Sequence, residues 1–281
     1  MAKRRIAHIV AEHYATARAR LLELATQEGE PLGFTGGQYI IIDSGIEVAD
    51  GKKVKRAYSV ITSDTEQNCF QLAIRRIGGG LGSNFMNDIA VGTELAFSGP
   101  WGKWRPDATG RAGETKADGV PKADGTPADG TETPATAVGP VAGTNRVDTG
   151  ATVVLATDTG ITAALGLLRG GQFRDRLSLT TVVWCVDSDD YFLPPGLVRD
   201  LIPAGCDSFQ IRFLPPVGHP DRVVAARSIL ADILARTRYR DAYLVGDGTV
   251  LLPLAQDLGD AGMAGHRIRV EYFFNRPPKK S

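Results

Sequence analysis

The chain has 281 residues, of which 43% are apolar and 23% are charged, and its formal net charge at pH 7 is zero. This composition is typical of a globular protein with about two domains. It gives no reason to expect a nucleic acid or an anionic membrane as a partner. No apolar run approaches the ~18 residues that a transmembrane helix needs, so we expect a cytoplasmic protein without membrane insertion.

Cysteine and histidine are too scattered to predict a metal site or an iron–sulfur cluster. The chain contains three cysteines, Cys69, Cys185 and Cys206, and four histidines without the spacing of metal ligands. A protein-bound iron–sulfur cluster generally takes four ligands in characteristic spacings. We therefore expect reduced thiols, no metal and no plant-type cluster domain.

The first hundred residues are predicted to form short strands. Residues 6–14, 18–26, 37–43 and 70–76 alternate in polarity or carry β-branched runs, and turn residues separate them. Short antiparallel strands at a spacing of about 10 residues indicate a small barrel.

Arg56-Ala57-Tyr58-Ser59 lies between two apolar, β-branched runs, so we expect it at the end of a strand. Its guanidinium group can make forked contacts to phosphate. The tyrosine ring can pack on a heteroaromatic ring, and the serine hydroxyl can bond a ring nitrogen or oxygen. Taken alone, the motif fits an edge strand with an exposed arginine equally well.

A glycine-rich stretch, residues 78–86, follows the last of these strands. We expect Ser83 or Asn84 to open a short helix after it. A helix N-terminus offers free N–H groups and a partial positive charge, which suits a pyrophosphate. In isolation, the stretch is also compatible with a plain glycine-rich hairpin turn.

Residues 107–149 differ in kind from the rest of the chain. Ala-Asp-Gly recurs at positions 117–119, 123–125 and 128–130, and most of the remainder is Thr, Pro, Gly and Ala. Such a segment cannot offset the entropy of ordering, so we expect a disordered linker. A passive role is favoured over a role in binding a partner. The linker would separate a domain of residues 1–106 from a domain of residues 150–281.

Continuous apolar strands alternate with helices after the linker. The first strand is predicted at 151–157, a helix at 161–168 and the next strand at 179–186, and the alternation continues to a strand at 268–274. This pattern predicts a parallel sheet with helices on both faces. Ligands of such sheets bind at the carboxyl ends of the strands, which here include Thr157-Asp158-Thr159-Gly160-Ile161-Thr162.

Taken together, the motifs resemble those of the ferredoxin-NADP reductase superfamily. Arg56 to Ser59 is similar to its Arg-x-Tyr-Ser flavin motif. Phe34-Thr35-Gly36-Gly37-Gln38-Tyr39 is similar to Phe-x-Pro-Gly-Gln-Tyr, with Gly36 in place of proline. Gly80, Ser83 and Met86 match its Gly-x-x-Ser-x-x-Leu loop, with Met in place of Leu.

The resemblance extends into the second half of the chain. Thr159-Gly160-Ile161 matches the nicotinamide-dinucleotide loop, although Asp158 and Ala163 replace a small residue and a proline. Tyr243 to Gly248 is similar to the strand that ends in Cys-Gly-Pro, with Val245 and Asp247 in place of Cys and Pro. Glu271-Tyr272-Phe273-Phe274 is similar to the Glu-x-Phe ending near the flavin.

The resemblance implies a two-domain flavoprotein. An N-terminal antiparallel six-stranded β-barrel would bind FAD, and a C-terminal α/β parallel-sheet domain would bind NAD(P)H. A hydride would pass from C4 of the nicotinamide to N5 of the flavin. Electrons would then reach a separate redox partner, such as a ferredoxin or an oxygenase component. The cofactors supply this chemistry, so the protein must position two rings in contact.

Site roles are implied by the same resemblance. Tyr58, Ser59 and Glu271 are the candidate catalytic residues, with Tyr58 stacked on the flavin and Ser59 near N5. The remaining candidates bind cofactors: Arg56, Gly80, Gly82 and Ser83 the FAD pyrophosphate, Thr159 and Gly160 the dinucleotide phosphates, Gly246 the nicotinamide, Phe273 the flavin and Asp187 the ribose.

Two other interpretations remain open at this point. Because Asp158 and Val245 depart from the family pattern, the chain could be a flavin-binding electron-transfer subunit with little NAD(P)H activity of its own. It could also be a barrel used only for protein interaction, without a flavin. The residues do not distinguish FAD from FMN.

We expect NADH to be preferred over NADPH. The end of the second parallel strand runs through the stretch from Trp184 to Asp190, which includes the carboxylates Asp187, Asp189 and Asp190. The adenosine ribose lies near this strand end in doubly wound sheets, and three carboxylates there would repel a 2′-phosphate. Arg212 or Arg222 could instead reach that phosphate, and the acidic run could be only a solvated loop.

Overall fold

The structure is a computed structural model. It describes residues 4–48, 51–104, 150–187 and 191–275. The predicted linker at 107–149 lies outside the described residues, as do Asp189 and Asp190, so those parts of the sequence analysis stay predictions.

Six antiparallel strands and one short helix form the first half of the chain, as predicted. The sheet order is β4-β3-β6-β1-β2-β5, and a bridge between Val60 and Leu72 joins the two edge strands into a barrel. The elements are β1 Arg5–Thr16, β2 Ala19–Thr26, β3 Tyr39–Glu47, β4 Lys53–Ser59, β5 Cys69–Arg75, helix α1 Leu81–Asp88 and β6 Glu94–Trp101.

The interior of the barrel is apolar because alternate residues of each strand point inward. Ile9, Leu22, Leu24, Ile40 and Phe70 are each at most 1% exposed and belong to one cluster. Each such side chain stabilises the fold by roughly 1.5–3 kcal/mol relative to an exposed position. This core holds the strand that carries Arg56 to Ser59.

Buried Arg20 fixes the end of α1. Its guanidinium group donates to the carbonyl oxygens of Asn87 at 2.9 Å and Ile89 at 2.7 Å, and it forms an ion pair with Glu12. A cation is favourable at a helix C-terminus, where carbonyl groups lack partners within the helix. Arg20 therefore anchors the helix from its far end.

The second half of the chain is a five-stranded parallel sheet in the order β11-β10-β7-β8-β9, as predicted. Helices pack on both of its faces and bury two separate apolar clusters. The elements are β7 Ala151–Thr157, α2 Ile161–Arg169, β8 Thr180–Val186, α3 Pro195–Leu201, β9 Ser208–Phe213, α4 Arg222–Arg236, β10 Tyr239–Asp247, α5 Gly248–Asp260 and β11 Ile268–Phe274.

The two halves meet at a contact lined by glycine. A Cβ atom at Gly36 would lie 2.5 Å from the carbonyl oxygen of Gly166, and one at Gly166 would lie 2.2 Å from that of Val60. The Asp64 carboxylate accepts from the backbone N–H groups of Gly36 at 3.0 Å and Gly171 at 2.7 Å. No side chain fits at Gly36, which accounts for glycine at this position and fixes how the halves face each other.

Candidate functional site

A cleft of about 430 Å³ lies between the barrel and the parallel sheet. Several side chains predicted from the sequence line this cleft: Arg56, Tyr58, Ser59, Ser83, Thr159, Glu271 and Phe273. The fold thus brings the end of β4, the start of α1, the first parallel-strand loop and the end of β11 to one place. This volume is within the range of small-molecule and cofactor sites.

The end of β4 presents three different groups to the cleft. Ser59 is 5% exposed, and its Oγ has no hydrogen-bond partner among the described residues. Burial raises the pKa of the Tyr58 phenol to about 12, despite the opposing charge of Arg56, so this phenol is neutral near pH 7. Arg56 is exposed, and its Nη1 donates to the carbonyl oxygen of Lys55 at 2.8 Å.

Helix α1 begins at Leu81, two or three residues before the predicted start at Ser83 or Asn84. The Ser83 Oγ accepts from the Ile77 N–H at 2.7 Å and donates to the Arg75 carbonyl at 3.0 Å. This hydroxyl therefore shapes the loop, which places Ser83 inside the first turn. The helix offers its first backbone N–H groups as donors, because these have no partner within a helix.

Glycine at position 82 lets α1 approach Arg56. A Cβ atom there would lie 2.8 Å from the Arg56 Cγ and 3.1 Å from a methyl group of Val54. Gly80 occupies the N-cap position of the same helix. Neither glycine lines the cleft directly, so their effect is to place the N-terminus of α1 beside a guanidinium group.

A mostly buried carboxyl group closes the cleft from the other side. The Glu271 Oε2 atom has no hydrogen-bond partner among the described residues. Burial raises the pKa of Glu271 from its usual value to about 7. Phe273, two residues along the same strand, is 37% exposed and lines the cleft.

Gly160 and Gly246 let two turns touch at the carboxyl edge of the sheet. A Cβ atom at Gly160 would lie 2.5 Å from the carbonyl oxygen of Val245. Gly246 has a φ of +128°, and a Cβ atom there would lie 2.3 Å from the Thr157 Oγ1. Both glycines lie behind the cleft wall, whereas Thr159 lines it. Their structural effect is close packing of the turns after β7 and β10.

Asp158, near the expected site of the pyrophosphate, forms an ion pair with Arg222. Its Oδ2 accepts from the Arg222 Nη2 at 2.6 Å, and the Arg222 Nε donates to the Asp247 Oδ2 at 3.2 Å. The pKa of Asp158 is raised to about 6, chiefly by burial, with an opposing effect of Arg222 and smaller upward effects of Asp187 and Asp247. The sequence analysis did not find this ion pair.

The two arginines considered as possible 2′-phosphate ligands are both engaged elsewhere. Arg222 is 2% exposed and pairs with the two aspartates. Arg212 donates to the Gln210 Oε1 at 2.9 Å and lies 3.9 Å from the Asp232 carboxylate. Asp187 directly follows β8, is partly exposed and does not line the cleft.

Sequence reasoning missed several residues of the cleft wall. Phe192 is buried and comes from the loop after β8, and Thr162 comes from the first turn of α2. The other missed wall residues are Tyr39, Ile41, Ala57, Ala73, Arg75, Ile77, Tyr272 and Phe274. In the sequence, the aromatic pair Tyr191-Phe192 beside an acidic run was the feature that could have indicated that this loop contributes to the cleft.

The described ranges, residues 4–48, 51–104, 150–187 and 191–275, contain neither a cluster of metal ligands nor a membrane-spanning helix. No group of three or more His, Cys, Asp or Glu residues there could hold a metal ion. No helix in the same part of the chain is long and apolar enough to cross a membrane.

Comparison with known proteins gives the family of the barrel. Residues 7–105 match the family model described as "Oxidoreductase FAD-binding domain". The chain is 30% identical over 101 residues to ferredoxin--NADP reductase B of Sorangium cellulosum, covering 36% of this chain and 40% of that protein. It is 32% identical over 89 residues to the carnitine monooxygenase reductase subunit of Escherichia coli, covering 30% and 26%.

Solved structures extend the likeness to the whole fold. A ferredoxin NADP+ reductase from Neisseria gonorrhoeae with bound FAD and NADP has a TM-score of 0.63 and 17% identity to this chain, covering 98% of this chain and 100% of that one. The matches to the two curated relatives span less than half of either protein. Residues 7–105 thus match an oxidoreductase FAD-binding domain, and the chain as a whole shares the fold of the ferredoxin NADP+ reductase from Neisseria gonorrhoeae.

Proposed function

We propose that the protein is an NAD(P)H-dependent flavoprotein reductase that favours NADH and passes electrons to a separate redox protein. FAD would lie in the cleft between the barrel and the parallel sheet. The observation that supports this proposal is the set of groups around the cleft. They are the Arg56 guanidinium group, which can bind phosphate, the N-terminus of α1, two buried polar atoms without partners, and the first loop of the parallel sheet.

The residues present fit a flavin. A buried polar group without a hydrogen bond costs about 1–3 kcal/mol, so such groups are rare in native proteins. Ser59 Oγ and Glu271 Oε2 are two such atoms on opposite walls of one cleft. A flat ring system with polar edges would supply partners for both, which accounts for residues that line the cleft but leave these atoms without protein partners.

Arg56 and α1 would hold the FAD pyrophosphate. The guanidinium group is exposed at the cleft, and Gly82 keeps the helix N-terminus against it. Charge-assisted hydrogen bonds to phosphate are about twice as strong as neutral ones. Bound FAD supplies the hydride-accepting and electron-donating chemistry.

The remaining groups orient the ring and control its protons. Tyr58 is neutral near pH 7, so its ring can stack without placing a charge beside the flavin. Ser59 donates a hydrogen bond to the ring edge. Glu271 has a pKa of about 7, so its Oε2 can hold or release a proton at the opposite edge near physiological pH. Phe192 and Phe273 exclude water from the cleft.

Nicotinamide dinucleotide would lie across the carboxyl edge of the sheet, with Thr159 and Gly160 near its phosphates and Gly246 near the nicotinamide. The preference for NADH is supported by two features of this edge. Asp187 follows β8, where the adenosine ribose lies in doubly wound sheets. Arg222, the closest candidate for holding a 2′-phosphate, is already paired with two carboxylates.

A separate acceptor protein is supported by the curated relatives. These relatives are ferredoxin--NADP reductase B and the carnitine monooxygenase reductase subunit. We infer an acceptor of the same kind here, a ferredoxin or an oxygenase component that takes electrons from the reduced flavin.

The test is anaerobic stopped-flow spectroscopy of the purified protein. We expect a yellow protein with FAD released on denaturation, and rapid loss of the flavin absorbance near 450 nm on mixing with NADH. Protein without flavin would instead support an interaction domain. Tightly bound FAD that neither NADH nor NADPH reduces would support an electron-transfer subunit, which the carboxylates Asp158, Asp187 and Asp247 at the nucleotide edge favour as the second candidate.

A further inference from the structure

Arg222 is a buried cation at the nucleotide edge that makes several hydrogen bonds. It is the first residue of α4 and is 2% exposed. Its Nη2 donates to the Asp158 Oδ2 at 2.6 Å, its Nε to the Asp247 Oδ2 at 3.2 Å and its Nη1 to the Pro215 carbonyl at 2.6 Å. All three nitrogens of this guanidinium group therefore have protein partners.

These partners belong to different loops of one sheet edge. Asp158 directly follows β7, Asp247 ends β10, and Pro215 lies just beyond β9. Strands β7 and β10 are neighbours in the sheet, and their turns touch through Gly160 and Gly246. One buried cation thus ties together the two turns on which a dinucleotide would rest, and connects them to the loop that leads into α4.

Further bonds hold the Asp247 carboxylate and the Asp158 backbone. The Asp247 Oδ1 accepts from the Thr249 N–H at 3.0 Å, the Thr249 Oγ1 at 2.7 Å and the Asn275 Nδ2 at 3.0 Å, so it also caps α5. Asp158 has a φ of +49°, in the left-handed region, and its backbone carbonyl accepts from the Trp184 indole at 2.8 Å. These bonds fix the orientation of the Asp247 carboxylate and the position of the Asp158 backbone before any ligand binds.

Charge balance argues against a free guanidinium group. Two buried carboxylates face one guanidinium group, and breaking a buried pair leaves an uncompensated charge in a low-dielectric site. Moving Arg222 towards a phosphate would leave Asp158 and Asp247 facing each other without a cation. The pairing is therefore an internal one that ligand binding does not replace.

We propose that Asp158, Arg222 and Asp247 form a clamp that sets the positions of the turns at 157–161 and 246–249, with Arg222 as a positioning residue rather than a phosphate ligand. The clamp itself does not depend on the proposed function, but its expected effect on hydride transfer rests on that function. A shift of these turns moves the nicotinamide relative to the flavin, and hydride transfer is sensitive to displacements of about 1 Å.

Arg222→Lys tests the clamp with the charge retained. A lysine has one ammonium group and cannot bridge three acceptors in the planar geometry of arginine. The matched control is Arg227→Lys on the same helix, where Arg227 makes a bidentate pair with Asp257 but is about half exposed. We expect faster amide hydrogen exchange in both turns of Arg222→Lys, by roughly tenfold, and unchanged exchange there in the control.

Kinetics distinguish positioning from phosphate binding. We expect the limiting rate of flavin reduction at saturating NADH to fall at least about tenfold in Arg222→Lys, while the salt dependence of NADH affinity stays as in the native protein. A weaker NADH affinity with an unchanged limiting rate and a reduced salt dependence would identify Arg222 as a phosphate ligand and overturn the proposal.

A compensated variant covers the risk of misfolding. Arg222→Gln alone leaves two buried carboxylates without a cation, whereas Asp158→Asn/Arg222→Gln/Asp247→Asn removes all three charges. We expect the triple variant to be the more stable and to exchange more slowly in both turns than Arg222→Gln. Equal losses in the two variants, or unchanged exchange in Arg222→Lys, would reject the clamp. A native protein that NADH and NADPH both fail to reduce would reject the proposed function, while exchange would still decide the clamp.

Discussion

The cleft, which is the proposed flavin side of the molecule, and the proposed nucleotide edge of the parallel sheet differ in how their polar groups are satisfied. On the flavin side, Ser59 Oγ and Glu271 Oε2 are buried without hydrogen-bond partners among the described residues. At the nucleotide edge, Asp158, Arg222 and Asp247 are just as deeply buried, but they satisfy one another. One side has polar atoms that a ligand can bond, and the other has charges that are already paired.

This difference separates the residues that should control ligand binding from those that should control the local fold. Unpartnered polar atoms lower the stability of the ligand-free protein and raise the gain on binding, because the ligand supplies the missing bonds. Paired charges instead hold the surrounding turns in fixed positions, because breaking a buried pair leaves an uncompensated charge. Substitutions on the flavin side should therefore change ligand affinity or the pH dependence of stability. Substitutions in the clamp should change the fold around the nucleotide.

The largest effect is expected from Glu271→Gln on the pH dependence of stability. The folded pKa of about 7 exceeds the ordinary value of 4.5, so Glu271 is neutral in the folded state while it ionises in the unfolded state. Native stability from this group is therefore highest below pH 4.5 and falls as the pH rises to 7, by about 3 kcal/mol. Urea unfolding of the flavin-free protein at pH 5 and pH 8 should show a smaller decrease in the variant.

Glu94→Gln, at an exposed carboxyl group on β6, is the control and should leave the decrease unchanged. Asp158, whose pKa is also raised by burial, contributes in both proteins. The difference between native protein and Glu271→Gln thus isolates Glu271. A native protein with the same stability at both pH values would show that the Glu271 carboxyl group has a solvent or protein partner. Ser59 would then be the only residue of the two that supports an unpartnered flavin side.

Arg56→Ala should have the next largest effect, on FAD affinity. Losing a charge-assisted contact to the pyrophosphate costs roughly 1.5–3 kcal/mol, which is a loss of ~10- to 100-fold in affinity. Titration of flavin-free protein with FAD, followed by fluorescence quenching, measures this loss. Lys55→Ala removes a neighbouring cation that is 58% exposed and should have little effect. Equal affinities for the native protein and Arg56→Ala would place the pyrophosphate elsewhere.

The barrel and the parallel sheet could be predicted from sequence because their signals are local. Alternation of polarity marked the strands of the first half, and continuous apolar runs between helices marked the second. The position of Ser59 at the end of a strand followed from its flanking apolar residues. The start of α1 was predicted two or three residues late, at Ser83 or Asn84, since the hydrogen bond between Ser83 and Ile77 is not visible in the composition of the loop.

The clamp could not be predicted because its members are distant in sequence and their chemistry is ambiguous. Asp158 read alone is repulsive to a phosphate, and Arg222 read alone is a possible phosphate ligand. Only the fold shows that the turns after β7 and β10 touch, so that one guanidinium group reaches both carboxylates. Two acidic departures from the family pattern, at Asp158 and Asp247, were the available signal for a shared cation.

Asp187→Ser should reduce a preference for NADH. Like charges about 4–6 Å apart in a partly wet site repel, and about 1.4 kcal/mol corresponds to tenfold discrimination. We expect the native kcat/KM to favour NADH by about tenfold, and the ratio to fall severalfold in the variant. Asp207→Ser, an exposed residue before β9 at the opposite edge of the sheet, makes the same change in net charge and should leave the ratio unchanged. A native preference for NADPH would refute the assignment.

The smallest expected effect is that of Ser59→Ala, and we expect it to differ between the flavin-free and the FAD-bound protein. Removing an unpartnered hydroxyl should leave the flavin-free protein equally stable or slightly more stable, because no hydrogen bond is lost. Ser44→Ala is the matched control on the same barrel, since the Ser44 Oγ donates to the Val54 carbonyl at 2.8 Å. It should cost about 1 kcal/mol in urea unfolding of the flavin-free protein.

With FAD bound the order of the two variants should reverse. Ser59→Ala should slow flavin reduction by NADH about fivefold, corresponding to about 1 kcal/mol, while Ser44→Ala keeps the native rate. A Ser59→Ala protein that loses as much stability as Ser44→Ala without flavin would mean that protein or water already satisfies this hydroxyl, and that the flavin does not supply its partner.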